Sequence, residues 1–116
     1  MTTLNSITLL TKALSDSNRI RIILLLQQQE VCVCHLITIL GLSPSTVSEH
    51  LSLLKKTSVL VSRKTGKWIY YSCAPKPPSY VVYFITSLTE SLSKDLVILN
   101  DKNQLKILLK KGSNAC

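Results

Sequence analysis

The feature that most constrains the fold is the short segment Gly41-Leu42-Ser43-Pro44, which separates two amphipathic stretches of the chain. Glycine often ends a helix in the left-handed conformation, and serine followed by proline is a favourable start for the next helix. Apolar residues recur at helical spacing from Val33 to Leu40 and again, on one stripe, from Pro44 to about Thr57. The sequence therefore predicts a helix, a tight turn and a second helix.

Two further helices are predicted before this unit and a β-hairpin after it. Apolar residues recur at helical spacing from Leu4 to Leu14, and the next helix, about Asp16 to Gln28, is apolar nearly all round and should be buried. Val59–Arg63 and Trp68–Ser72 are β-rich runs on either side of the basic turn Lys64–Lys67. The expected fold class is α+β, a winged helix-turn-helix that is mainly helical with one β-hairpin wing.

The distribution of charge predicts a polyanionic partner. The chain has 14 basic and 6 acidic residues, a net charge of +8, and no acid lies between Glu49 and Glu90. The longest apolar run, Ile22–Leu26, is too short to cross a bilayer, and the start of the chain lacks the basic segment of an export signal. We therefore expect a soluble cytoplasmic protein with no membrane partner.

A helix-turn-helix followed by a basic hairpin suits double-stranded DNA, because the second helix can enter the major groove while the hairpin contacts the backbone beside it. Hydroxyl side chains and a histidine can reach base edges or phosphates, and lysine and arginine can neutralise phosphates. The alternative is a solvated helix face with ordinary solubilising charge. The candidate DNA-binding residues are Ser43, Ser45, Thr46, Ser48, His50, Lys55, Lys56, Arg63, Lys64 and Lys67.

The last periodic segment bears on subunit organisation. Apolar residues from Val81 to Leu99 recur every three or four positions, which suits a partner helix from a second subunit. We expect residues 1–100 to form one DNA-binding and dimerisation domain of a homodimer. Residues 101–116 are expected to be a C-terminal extension that is mobile at its end.

Cys32 and Cys34 form the one cluster among four cysteines and suit a soft, thiophilic ion. Within a regular helix, residues two apart point about 200° away from each other. Both thiolates therefore face one ion only if the first turn of the third helix unwinds, which would pass strain through Gly41 into the fourth helix. The alternative is that both thiols are small buried apolar groups.

With these elements placed, the chain resembles the ArsR/SmtB family of metalloregulatory repressors, and specifically its arsenite and antimonite sensors. Glu30-Val31-Cys32-Val33-Cys34-His35-Leu36 is similar to the family's metal-binding box. Ser43-Pro44-Ser45-Thr46-Val47-Ser48-Glu49-His50-Leu51 is similar to its recognition helix, and Gly66-Lys67-Trp68-Ile69-Tyr70-Tyr71 to its wing. The resemblance extends from about Leu9 to Ser72.

The resemblance implies a homodimer that represses a resistance operon and leaves its operator when As(III) or Sb(III) binds Cys32 and Cys34. It implies no cofactor for DNA binding, with the metalloid acting as inducer. Family members with a third cysteine in the box carry it where this chain has Ile37. Cys116, Cys73 or an outside thiol such as glutathione would then complete the site, in that order of preference, and a site of two thiolates alone is the alternative. The histidines His35 and His50 are left out of the metal site.

Three rival functions are weighed beside this one. A redox- or sulfide-responsive repressor would use the same cysteines, reversibly with a reductant. An interaction module that has lost ligand sensing would bind DNA whatever metal is added. An enzyme is not expected, because the sequence has no nucleophilic triad, no phosphate loop and no base near the cysteine pair.

Overall fold

A computed structural model of the chain describes residues 2–111. Its helices and strands follow in the order α1 (Leu4–Ala13), α2 (Ser17–Leu26), β1 (Val31–Cys32), α3 (Val33–Leu40), α4 (Pro44–Lys56), β2 (Leu60–Thr65), β3 (Trp68–Cys73), α5 (Ser79–Ser91) and α6 (Leu96–Lys110). The fold is a winged helix-turn-helix, as the sequence predicts. Within residues 2–111, no helix combines the length and apolar character needed to cross a membrane.

The helix-turn-helix forms where local signals place it. Gly41 ends α3 with φ +67° and donates its backbone N–H to the carbonyl of Ile37 over 3.0 Å. Ser43 caps α4, with its hydroxyl accepting the backbone N–H of Thr46, and Pro44 occupies the first turn. The predicted turn is confirmed because each of these signals acts within a few residues.

Helix α2 is the centre of the core, also as predicted. Ile22 to Leu26 are all buried, and the helix contacts α4, α5, α6 and β3. Asp16 caps it by accepting the backbone N–H groups of Asn18 and Arg19. Because five consecutive residues are buried, the second half of this helix packs against neighbouring elements on every side.

The three strands form an antiparallel sheet in the order β1-β3-β2. Strands β2 and β3 are the predicted hairpin, and Gly66 adopts φ +59° in its turn. Strand β1 was not predicted and pairs with β3, with Val31 opposite Tyr71 and Cys32 opposite Tyr70. Two residues are too few to show strand periodicity, so this strand forms only because β3 lies beside it.

The last periodic segment divides into two helices. Helix α5 ends at Ser91, and the carboxylate of Asp95 starts α6 by accepting the backbone N–H groups of Val97 and Ile98. Helix α6 continues across residue 100, where we expected the C-terminal extension to begin, and buries Asp101 and Leu105. The tail expected to be mobile, residues 112–116, lies outside the described residues.

Candidate nucleic-acid interface and thiol pair

Helix α4 has one row of side chains that is buried in the core and another that faces solvent. Val47, Leu51 and Leu54 lie in the core, whereas Ser45 and Ser48 are exposed. The Ser43 hydroxyl is engaged in the cap: it accepts the Thr46 N–H over 3.2 Å and donates to the Thr46 hydroxyl over 2.8 Å. In its first turns the helix therefore presents short hydroxyl side chains, while the capping serine orients the first turn.

His50 lies on the side of α4 that faces the junction of α1 and α2. Its Nδ1 accepts a hydrogen bond from Nη1 of Arg19 over 3.2 Å, since guanidinium can only donate. Arg19 also donates to the carbonyls of Ala13 over 2.7 Å and Lys12 over 3.2 Å. Nδ1 of His50 is thus engaged in a hydrogen bond within the protein. No feature of the sequence indicated this contact.

The lysines near the wing differ in how they are held. Lys64 and Lys67 are exposed at the hairpin, and the Lys67 ammonium lies 5.1 Å from the centroid of the Trp68 ring. Lys55 donates to the Ser62 hydroxyl over 2.7 Å, which ties the end of α4 to β2. Lys56 is exposed beside it. These cations lie on α4 and the hairpin that follows it, as the acid-free segment predicts.

Arg63 differs from those lysines because an acid from outside that segment reaches it. Nε and Nη2 of Arg63 donate to the two carboxylate oxygens of Glu30, each over 2.6 Å. Hydrogen bonding from Arg63 lowers the pKa of the Glu30 carboxyl, and the bond to Glu30 raises the pKa of the Arg63 guanidinium. The sequence contained no signal for this pair, whose members lie 33 residues apart.

The sulfurs of Cys32 and Cys34 are 3.4 Å apart. Cys32 is the last residue of β1 and the N-cap of α3, with φ −67° and ψ 139°, so it lies outside the helix that contains Cys34. The expected conflict of two cysteines in one helix does not arise, because the extended conformation of Cys32 turns its thiol toward Cys34. Cys32 is 3% exposed and Cys34 is half-buried.

Cys73 does not lie beside the pair formed by Cys32 and Cys34. Side chains alternate along a strand, so Cys73 points to the opposite face of β3 from Tyr70, the residue opposite Cys32. Its thiol lies 3.8 Å from the Ile23 carbonyl, and burial raises its pKa to about 11. Cys116 lies outside the described residues. Between residues 2 and 111, no group of three or more His, Cys, Asp or Glu side chains is arranged to hold a metal ion.

Residues 16–57 match the family model described as bacterial regulatory protein, arsR family. The arsenical resistance operon repressor of Escherichia coli is 42% identical over 75 residues, which cover 64% of each chain. The cadmium resistance regulatory protein CadC of Listeria innocua is 46% identical over 61 residues, covering 52% of this chain and 51% of that protein. This chain therefore spans about half to two thirds of the length of these relatives.

Among solved structures, a homodimeric winged helix-turn-helix DNA-binding domain from Mycobacterium bovis, a possible ArsR-family regulator, superposes with a TM-score of 0.65. It is 27% identical, and the match covers 80% of this chain and 83% of that one. The matched proteins are named as regulators and not as enzymes, in agreement with the expectation that this chain is not an enzyme. Residues 16–57 thus form a helix-turn-helix domain of the ArsR family of bacterial regulatory proteins.

Proposed function

We propose that the chain is a dimeric DNA-binding repressor of a metalloid-resistance operon, released from its operator when As(III) or Sb(III) binds Cys32 and Cys34. The observation that carries this proposal is the 3.4 Å separation of the two sulfurs at the start of α3. That helix leads through Gly41 directly into α4, so a change at the thiol pair lies one short helix away from the DNA-facing element.

The sulfur separation fits a soft three-coordinate ion. Two bonds of about 2.3 Å, a typical metal–thiolate length, meet at about 95° when the sulfurs are 3.4 Å apart. A near-right angle suits an ion with a lone pair, such as As(III), whereas a tetrahedral ion requires sulfurs roughly 3.8 Å apart. The arsenical-resistance relative supports the same class of inducer.

For the DNA complex, we propose that α4 enters the major groove and the wing contacts the backbone. Ser45, Thr46 and Ser48 would face the DNA from the N-terminal half of α4, where helices of this type contact base edges. Lys56, Lys64 and Lys67 would neutralise phosphates, and Lys55 would do so from its contact with Ser62. A protein with this task acts in the cytoplasm.

The proposed homodimer would use apolar side chains that the single chain leaves exposed. Leu4 and Leu9 of α1 and Val82 and Tyr83 of α5 are 84%, 41%, 43% and 74% exposed. Burying such residues between subunits is favourable because it removes apolar surface from water. The homodimeric relative from Mycobacterium bovis supports this arrangement.

As the third thiolate we propose Cys116. Asp101 of α6 pairs with Arg21 of α2. Farther along both helices, Lys106 and Lys110 line a groove with Gln28 and Gln29, so α6 runs in the same direction as α2. Lys110 therefore ends α6 near the segment that leads into Cys32, and Cys116 follows six residues later. Six extended residues can span roughly 20 Å. Cys73 and glutathione are the alternatives that the experiment must distinguish.

The decisive experiment measures fluorescence anisotropy of the upstream DNA while arsenite, antimonite, cadmium and zinc are titrated in reducing buffer. We expect arsenite and antimonite to release wild-type protein but not Cys32→Ser or Cys34→Ser, and to release Cys116→Ser only at higher concentration. Cys73→Ser is the matched control and should respond as wild type does. Protein that binds DNA but is released by no metalloid would refute the sensor function, and failure to bind any DNA would refute the repressor function.

The DNA interface is tested by the dependence of affinity on salt. Each phosphate contact contributes about one unit to the slope of log affinity against log salt concentration. Because a homodimer carries two copies of each lysine, Lys64→Gln and Lys67→Gln should each lower that slope by about 1.8, or about 0.9 for each subunit. Lys94→Gln is the control, because Lys94 is an exposed lysine between α5 and α6 and belongs neither to α4 nor to the wing. Equal slopes in all variants would show that the wing does not contact phosphates.

The sulfur separation also favours a second function, a redox-responsive repressor. Once both are reduced, Cys32 and Cys34, whose sulfurs lie 3.4 Å apart, can form a disulfide with each other, giving up two electrons and two protons to hydrogen peroxide, which becomes water. Release from DNA by hydrogen peroxide, reversed by a thiol reductant, together with no response to arsenite would establish this function in place of the metalloid sensor.

A further inference from the structure

Cys32, Tyr70 and Arg63 lie in one row across the sheet. Cys32 of β1 is opposite Tyr70 of β3, and Tyr70 is opposite Arg63 of β2. Residues directly opposite one another in antiparallel strands point to the same face, with Cβ atoms about 4.5–5.5 Å apart. The row therefore leads from the thiol pair across the sheet to the wing.

Glu30 closes this row into a ring of contacts. It lies two residues before Cys32, and its carboxylate accepts two hydrogen bonds of 2.6 Å from Arg63. The Arg63 guanidinium also lies 4.8 Å from the centroid of the Tyr70 ring and donates to the Thr65 hydroxyl over 2.6 Å. Arg63 thus contacts the cysteine-bearing segment, β3 and its own strand.

We propose that Glu30, Tyr70 and Arg63 relay ligand binding at the thiol pair to the wing, a second route beside the one through α3 and Gly41. This inference rests on the proposed function of the pair. A metalloid that draws Cys32 and Cys34 into its own bond geometry displaces β1 and Glu30. The two-oxygen contact with Arg63 carries that displacement into β2, and Lys64, the next residue, moves out of register with the DNA backbone.

The test uses the ratio of the DNA dissociation constants with and without saturating arsenite. Glu30→Gln removes one carboxylate oxygen and the charge but leaves both cysteines intact. Arg63→Lys breaks the same contact from the other side and keeps the positive charge. Glu90→Gln is the matched control, since Glu90 is exposed on α5 and its substitution changes the net charge equally. The near-UV absorbance of arsenic–thiolate bonds reports binding at the pair independently.

We expect Glu30→Gln and Arg63→Lys each to reduce the ratio about three- to tenfold relative to wild type, the range for residues that couple two sites. The double variant should reduce it no further, because both changes break one contact. Arsenite binding and melting temperature should stay near the wild-type values. A wild-type ratio in both single variants, with arsenite bound, would overturn the relay while leaving the sensor function intact. Wild-type protein that arsenite does not release would overturn both.

Discussion

Nη1 of Arg19 and Nδ1 of His50 are joined by a 3.2 Å hydrogen bond that links α2 to the middle of α4. Because Arg19 also holds the last carbonyls of α1, its guanidinium connects the first helix to the helix proposed to read DNA. This arrangement requires Nδ1 of His50 to be unprotonated. We infer that His50 positions α4 and does not contact DNA through this nitrogen.

Substitution of His50 distinguishes positioning from contact. His50→Ala should weaken DNA binding about three- to tenfold without changing the salt slope, because it removes an orienting hydrogen bond but no phosphate contact. His50→Asn, whose amide oxygen lies near the place of Nδ1, should recover most of the affinity. Anisotropy titrations at several salt concentrations measure both quantities. If His50→Asn loses as much affinity as His50→Ala, and only for operator DNA, then His50 contacts the bases directly.

Arg21 and Asp101 anchor α6 to α2. Both guanidinium–carboxylate distances are 2.8 Å, and Asp101 is 2% exposed. Arg21→Met should lower the free energy of unfolding by about 3 kcal/mol, because it leaves a buried carboxylate unpaired. The double variant with Asp101→Leu should be more stable than Arg21→Met alone. Urea unfolding measures these differences. Wild-type stability in Arg21→Met would contradict the stabilising role of this ion pair.

Cys73 should react slowly in the folded protein. Burial raises the pKa of its thiol from 9.0 to about 11, so at pH 8 the thiolate fraction falls about 100-fold relative to unfolded chain. The stability contributed by the protonated thiol is fully present below pH 9.0 and is lost as the pH rises toward 11. Iodoacetamide labelling followed by peptide mass spectrometry, with and without urea, measures the rate. Equal rates in both conditions would contradict the buried environment.

Ser58 follows α4 with φ 66°, a left-handed conformation that favours glycine. Ser58→Gly should therefore raise the free energy of unfolding by about 1 kcal/mol, provided that the wing keeps its position. Ser52→Gly is the matched control: Ser52 is exposed inside α4, and the same substitution there should destabilise by roughly 0.5 kcal/mol. Thermal unfolding of both variants tests this. Destabilisation by both substitutions would refute the conformational argument.

Much of the candidate site was predictable because its signals are local. The cap at Ser43, the glycine at Gly41 and the β-rich strands on either side of Gly66 each act over a few residues, so their structures follow from composition and spacing. The two cysteines also lie close together along the chain, although their proposed ligand role came from the family resemblance. The error lay in assuming that Cys32 belonged to α3, because a two-residue strand shows no periodicity of its own.

The sequence by itself determined the order of the elements, the turn between α3 and α4, the hairpin and the proximity of two cysteines along the chain. Only the tertiary structure decided that β1 pairs with β3, that Glu30 reaches Arg63, and that α6 returns to bury Asp101 against α2. The physical reason is the distance over which each interaction acts. Caps and turns join near neighbours, whereas these contacts join residues 33 to 80 positions apart and exist only once the helices have packed.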